Sequence, residues 1–123
     1  MIVGIGVDLV DVARFERAAS RTPRLLDRLF AESEQRPGGR ELPLRSLAAR
    51  FAAKEALIKA LGDSEGVRWH DISIVSNELR NPSFVLQNRI AEVAEERGIT
   101  QLHLSMTHDA GLAIAYVVAE GAA

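Results

Sequence analysis

RFAAKEALIKALG, Arg50 to Gly62, is the stretch from which the fold can be read. It holds no proline and no run of β-branched residues, is built mainly from Ala and Leu, and has Gly62 placed to close it, which predicts a helix. Extended back to Leu44, that helix has two apolar faces. At about 100° per residue, Leu44, Leu47, Ala48, Phe51 and Ile58 share one side with Glu55, and Ala49, Ala52, Ala56 and Ala60 make a flat opposite side open to close approach by another backbone. A helix apolar on both faces is buried on both. Three charges, Lys54, Glu55 and Lys59, nevertheless stand in its middle, where charge is costly unless paired or used.

The composition bears on those charges. The chain has thirteen arginines and two lysines, and both lysines are Lys54 and Lys59. An i,i+4 pair between Glu55 and Lys59 would account for two of the three charges at a few tenths of a kcal/mol. The alternative is a phosphate-and-metal site, with Glu55 for a hard cation and Lys59 as a point charge on phosphate.

At 123 residues, 47% hydrophobic, with net charge −2 and no cysteine, the chain reads as one soluble domain, residues 1–123, with a real core and no disulfide or thiolate chemistry. It is no general polyanion binder. Asp8 interrupts the apolar start and no basic segment precedes it, so no signal peptide is expected. The longest uncharged apolar run, Ala110 to Ala119, is too short to span a bilayer. The expected setting is cytoplasmic, with no membrane partner.

Upstream of the helix, residues 2–10 alternate as a strand. Val3, Ile5, Val7 and Leu9 form a row expected to face the core, and Ile2, Gly4, Gly6, Asp8 and Val10 form the other. Two glycines on one row invite close approach, and the alanine face of the helix is the expected visitor. Asp8 reads as a strand-end or helix-capping carboxylate. GIGVDL is no dinucleotide fingerprint, because Leu9 holds the third glycine position. Two short helices are expected between Asp11 and Ala31, the first capped by Asp11 and the second begun at Thr22-Pro23. Arg14, Arg17, Arg21, Arg24 and Arg28 would share an arc of about 80° on a continuous helix. Such a bias in a net-acidic chain steers an acidic partner, unless Glu16 and Asp27 merely solvate the face with it. No aromatic platform accompanies the stripe, so nucleic acid is not indicated. Residues 32–43 read as a polar loop around Pro37-Gly38-Gly39.

Downstream, strands are expected at 71–75 and 83–86, a helix at 87–97 closed by Gly98, a strand at 101–107, a turn at His108 to Gly111, and a last strand at 112–119. In that last strand Ala113, Ala115 and Val117 form a small face suited to lying under a helix. His70 and His103 read as ordinary surface or edge histidines. The order of elements gives an α+β fold, a mainly antiparallel sheet wrapped around the long buried helix.

Three segments, GIGVDLVDVARFE, RFAAKEALIKALG and LSMTHDAGLAIAYVV, together resemble the motif set of the 4′-phosphopantetheinyl transferases, in the short acyl-carrier-protein synthase form. The resemblance spans the chain in order and spacing. It implies Mg²⁺-dependent transfer of the phosphopantetheine arm of coenzyme A to a serine of an apo-acyl carrier protein, release of 3′,5′-ADP, and a homotrimer with active sites between subunits. It further implies that Asp8 and Glu55 hold the Mg²⁺ and that Lys59 sits on a pyrophosphate oxygen. His108 and Asp109 position phosphates or water or accept the serine proton, and Arg50, Phe51 and Gly62 lie along the coenzyme. The arginine stripe, Arg14, Arg21 and Arg24 above all, then faces the acidic carrier. Two segments depart from the pattern: Gly62-Asp63-Ser64 stands where relatives often have Gly-Thr-Gly, and Arg80-Asn81-Pro82 where many have Gly-Lys-Pro. A non-catalytic module that holds acidic helical proteins through the stripe is the competing reading, and it has no need of Asp8, Glu55 and Lys59 in an apolar setting.

Overall fold

In the computed structural model, which describes residues 1–122, the segment around Arg50–Gly62 is helix α4, Leu44–Leu61. Gly62 ends it in the left-handed region, at φ 75°, with its N–H on the Ile58 carbonyl at 2.9 Å. Ten of its eighteen residues are buried, so the helix is enclosed on more than its two predicted faces. Its first half packs with Phe15, Leu29 and Phe30, and its second half with Ile72, Ile74, Ile90 and Val93. Leu57 and Leu61, fully buried in the second half, each contribute about 1.5–3 kcal/mol through burial.

The elements run β1 (Ile2–Asp11), α1 (Val12–Arg21), α2 (Leu25–Leu29), α3 (Glu32–Gln35), α4, β2 (Ile72–Ser76), β3 (Pro82–Leu86), α5 (Asn88–Glu96), β4 (Ile99–Asp109) and β5 (Leu112–Gly121). The strands form two antiparallel sheets where one was expected: a three-stranded sheet in the order β1-β5-β4, and the separate β2-β3 ribbon. The larger sheet lies on α4. Its small face, Ala113, Ala115, Val117 and Ala119, is fully buried, as the alternation predicted.

The glycine row of β1 also meets α4. A Cβ at Gly6 would fall on the Ala56 carbonyl oxygen and within 2.9 Å of Ala60 N, and one at Gly4 would fall on the Ala60 carbonyl. The other row is a correction. Ile5 and Leu9 are each 57% exposed and Val7 is exposed as well, because the glycines, not the branched residues, are what let β1 approach the helix. The strand also continues three residues past Asp8, which is therefore a buried mid-strand carboxylate and no strand end.

Three further expectations shift. Asp11 caps α1 through the Arg14 N–H at 3.0 Å, as predicted. Thr22-Pro23 form a turn, with the Thr22 carbonyl accepting from Leu25 N, and α2 starts only at Leu25. The polar stretch after Ala31 contains α3, whose Glu34 accepts the Ala31 N–H at 3.0 Å and whose Gln35 donates to the Asp27 carboxylate and the Phe30 carbonyl. Finally, β4 runs through His108 and Asp109, so the turn is only Ala110-Gly111.

Candidate active site

β1 and α4 cross where Asp8 faces the helix, and that crossing brings Asp8, Glu55 and Lys59 together. Lys59, half-exposed, donates to Asp8 Oδ1 at 3.0 Å and to the Val7 carbonyl at 3.0 Å. It makes no ion pair with Glu55 within 4.0 Å among the described residues, so the one-turn pair along the helix gives way to a cross-element pair. Asp8 is 9% exposed, and its Oδ2 is buried without a hydrogen-bond donor among the described residues.

Glu55 is held above the ordinary glutamate range. Burial is the main cause, followed by the Asp8 charge and the hydrogen bond the two carboxyls share when one is protonated, with Lys59 pulling the other way. Two carboxylates in contact with an orphaned buried oxygen fit a hard divalent cation. Among the described residues no third Asp, Glu, His or Cys joins them. Mg²⁺ suits so sparse a donor set, because it is usually held by one or two carboxylates and completed by phosphate oxygens and water.

Two clefts flank Glu55. One, of about 380 Å³, is lined by Glu55, Ile58, Lys59, Ser64, Val67 and Trp69. The other, of about 330 Å³, is walled by Asp8, Arg14, Phe15, Leu29, Phe51 and Glu55. Phe51 and Trp69, with ring centroids 5.4 Å apart, stand between them. Trp69 was missed in the sequence although it is the only tryptophan of the chain, next to His70 and Asp71, and a lone large aromatic beside titratable residues was a usable signal.

Other candidates lie elsewhere in the chain. Arg50 opens into a third cleft, of about 290 Å³, with Ser33, Glu34, Ser73 and Ser76. Its pKa is lowered by burial, against the Glu34 charge, and it has no ion pair within 4.0 Å among the described residues. His108 and Asp109 are exposed at the end of β4, on opposite faces of the sheet by alternation. His108 sits opposite Ala113, itself opposite Val10, so it lies two strands from β1, roughly 10 Å away. Gly62 is exposed at the helix end. Arg14, Arg17, Arg21, Arg24 and Arg28 are all exposed, and none makes an ion pair within 4.0 Å among the described residues.

Lys54 points away from this site. It is fully buried and pairs with Glu34 at 3.0 Å, so of the two lysines only Lys59 reaches the carboxylates. His70 contacts the Asp27 carbonyl and His103 pairs with Glu120 at 2.8 Å, both at the surface as expected.

A sheet laid on a buried helix, with two carboxylates and a lysine at the crossing and a cleft on each side, defines a small α+β protein whose site suits a divalent cation and phosphate oxygens. The chain belongs to the 4′-phosphopantetheinyl transferase superfamily, whose family profile matches residues 4–117. It is 66% identical over 120 residues to the holo-[acyl-carrier-protein] synthase of Leifsonia xyli subsp. xyli, covering 98% of both chains. In structure it is similar to the holo-[acyl-carrier-protein] synthase of Neisseria meningitidis, with TM-score 0.85, 35% identity and coverage of 98% and 99% of the two chains. It is also similar to the "ACPS-CoA complex" of Chronobacterium ammoniagenes, with TM-score 0.84, 26% identity and 98% coverage of each chain.

Proposed function

We propose that the chain, acting as one domain over residues 1–123, transfers 4′-phosphopantetheine from coenzyme A to a serine of an apo-acyl carrier protein, supplying holo-carrier for fatty-acid or polyketide synthesis. The observation that carries this reading is the Asp8–Glu55–Lys59 cluster between two clefts. The serine oxygen attacks the β-phosphorus of the coenzyme pyrophosphate, the bond to the bridging oxygen breaks, and 3′,5′-ADP leaves with that oxygen. Positioning and charge neutralisation supply most of the catalysis in such a transfer. Asp8 and Glu55 would hold Mg²⁺, which would supply charge neutralisation at the phosphates. Lys59 acts as a point charge on the pyrophosphate, and Phe51 and Gly62 line the coenzyme. The serine proton goes to a carboxylate or water near Asp8, Glu55 or Asp109.

Arg50, His108 and Asp109 complete the site from a neighbouring copy. The separate cleft that Arg50 lines and the place of His108 and Asp109 two strands from β1 support this, as does the outer face of the large sheet, where Ile5, Val7, Leu9 and Tyr116 leave an apolar surface. A homotrimer with sites between subunits buries that face and brings the separated residues to the carboxylates. Arg14, Arg21 and Arg24, which make no ion pair among the described residues, receive the acidic carrier. The setting is the cytoplasm; no helix among the described residues is long and apolar enough to cross a membrane.

Incubation of the protein with coenzyme A, Mg²⁺ and an apo-carrier, followed by mass spectrometry of the carrier, tests the reading. A gain of one phosphopantetheine is expected, and an unchanged carrier mass would refute it.

A further inference from the structure

Lys54 precedes Glu55 in α4 and is 0% exposed. Its ammonium has three N–H donors and uses them on three acceptors: the Leu29 carbonyl at 2.6 Å, Glu34 Oε1 at 3.0 Å and the Trp69 carbonyl at 3.1 Å. The Phe30 ring lies below it, 4.8 Å from Nζ to the centroid. Charge balance alone would need only Glu34. Two of the donors instead hold main chain in segments forty residues apart in sequence, the end of α2 and the connection after α4. Those two points are walls of the two clefts. Leu29 lines the one that contains Asp8, Arg14 and Phe51, and Trp69 lines the one that contains Lys59 and Ser64.

We propose that Lys54 is a positioning residue for the transfer: by clamping the backbone at Leu29 and Trp69, it fixes the width of both clefts beside Glu55 and the place of the Trp69 ring against Phe51. Its part in the reaction rests on the function proposed above; its grip on Trp69 does not. Displacement of a wall by about 1 Å can cost a transfer reaction on the order of a hundredfold in rate. The lysine at 54 is thus required by what its neighbours do as well as by the core it sits in.

Trp69, as the only tryptophan, reports on the clamp directly. Two variants separate clamp from charge. Glu34→Gln removes the countercharge but leaves both carbonyl bonds and an acceptor for Ala31 N. Lys54→Met/Glu34→Leu removes the clamp without stranding a charge, leaving the Leu29 and Trp69 carbonyls and the Ala31 N–H without these partners. Glu34→Gln is expected to keep Trp69 emission and kcat/KM within twofold of the wild type. The double variant is expected to fold, to shift Trp69 emission to the red with at least twofold greater acrylamide quenching, and to lose at least tenfold in kcat/KM. A double variant that fails to fold, or that keeps wild-type emission and kcat/KM, overturns the assignment and makes Lys54 a core residue only. So does a Glu34→Gln variant that moves as far as the double. Absence of transfer by the wild type would refute the proposed function instead, while the fluorescence arm would still decide the clamp.

Discussion

At Asp8 and Glu55, two carboxylates are held together with one Asp8 oxygen lacking a donor among the described residues, and burial together with the Asp8 charge raises the pKa of Glu55. Glu55 has a raised folded-state pKa, so its contribution to stability is fully present below the unfolded value of about 4.3 and is lost as pH rises through the folded one. Glu55→Gln keeps the shape and removes the titration. In metal-free protein its melting temperature should therefore gain on the wild type from acid to neutral pH. Mg²⁺ should raise the wild-type melting temperature at neutral pH and leave the variant unmoved. Calorimetry of both proteins at about pH 4 and about pH 7, with and without Mg²⁺, checks both statements; a gap that does not widen with pH would mean the two carboxylates do not oppose each other.

Among the elements, the β1–α4 contact has the least tolerance. Backbone meets backbone there, so a methyl group at Gly6 has no flexible side chain to displace, and β1 would have to lift off the helix that it needs to hold Asp8 over Lys59. Gly6→Ala should cost roughly 3 kcal/mol or more, at or beyond the upper end of ordinary overpacking. Urea denaturation measures this. A loss below about 1 kcal/mol would show that the strand and helix are not in such close contact.

Two surfaces of the molecule have no partner among the described residues. On the proposed docking role, the arginine stripe acts before bond-making, so Arg14→Glu or Arg24→Glu should raise the KM for carrier and flatten its salt dependence, with the KM for coenzyme A nearly unchanged. Steady-state rates across a salt series decide this, and unchanged carrier kinetics would leave the stripe a solvated face. The apolar sheet face predicts an assembly. Tyr116→Glu places a charge at its centre, opposite Val7 on the neighbouring strand. Sedimentation should then show the assembly reduced to single chains, with transfer lost because Arg50, His108 and Asp109 no longer reach a partner's Asp8. A variant that sediments like the wild type would count against that face as the interface.

The sequence by itself determined the helix at Leu44–Leu61, its glycine stop, the two rows of β1, the alanine face of β5 and the cap at Asp11. These follow from periodicity and local backbone chemistry, which are written along the chain. The same patterns also singled out Glu55 and Lys59, because charge inside an apolar helix is conspicuous. Only the tertiary structure decided which partner each charge takes. Lys59 crosses to Asp8 rather than pairing along its own helix, and Lys54 turns inward to Glu34, Leu29 and Trp69. It also decided which row of β1 faces inward. A period of two separates the rows without saying which is buried, and the two glycines settled it because only they admit the helix backbone. Trp69, His108 and Arg50 illustrate the remaining gap: their places depend on how distant segments pack, and no local rule of spacing encodes that.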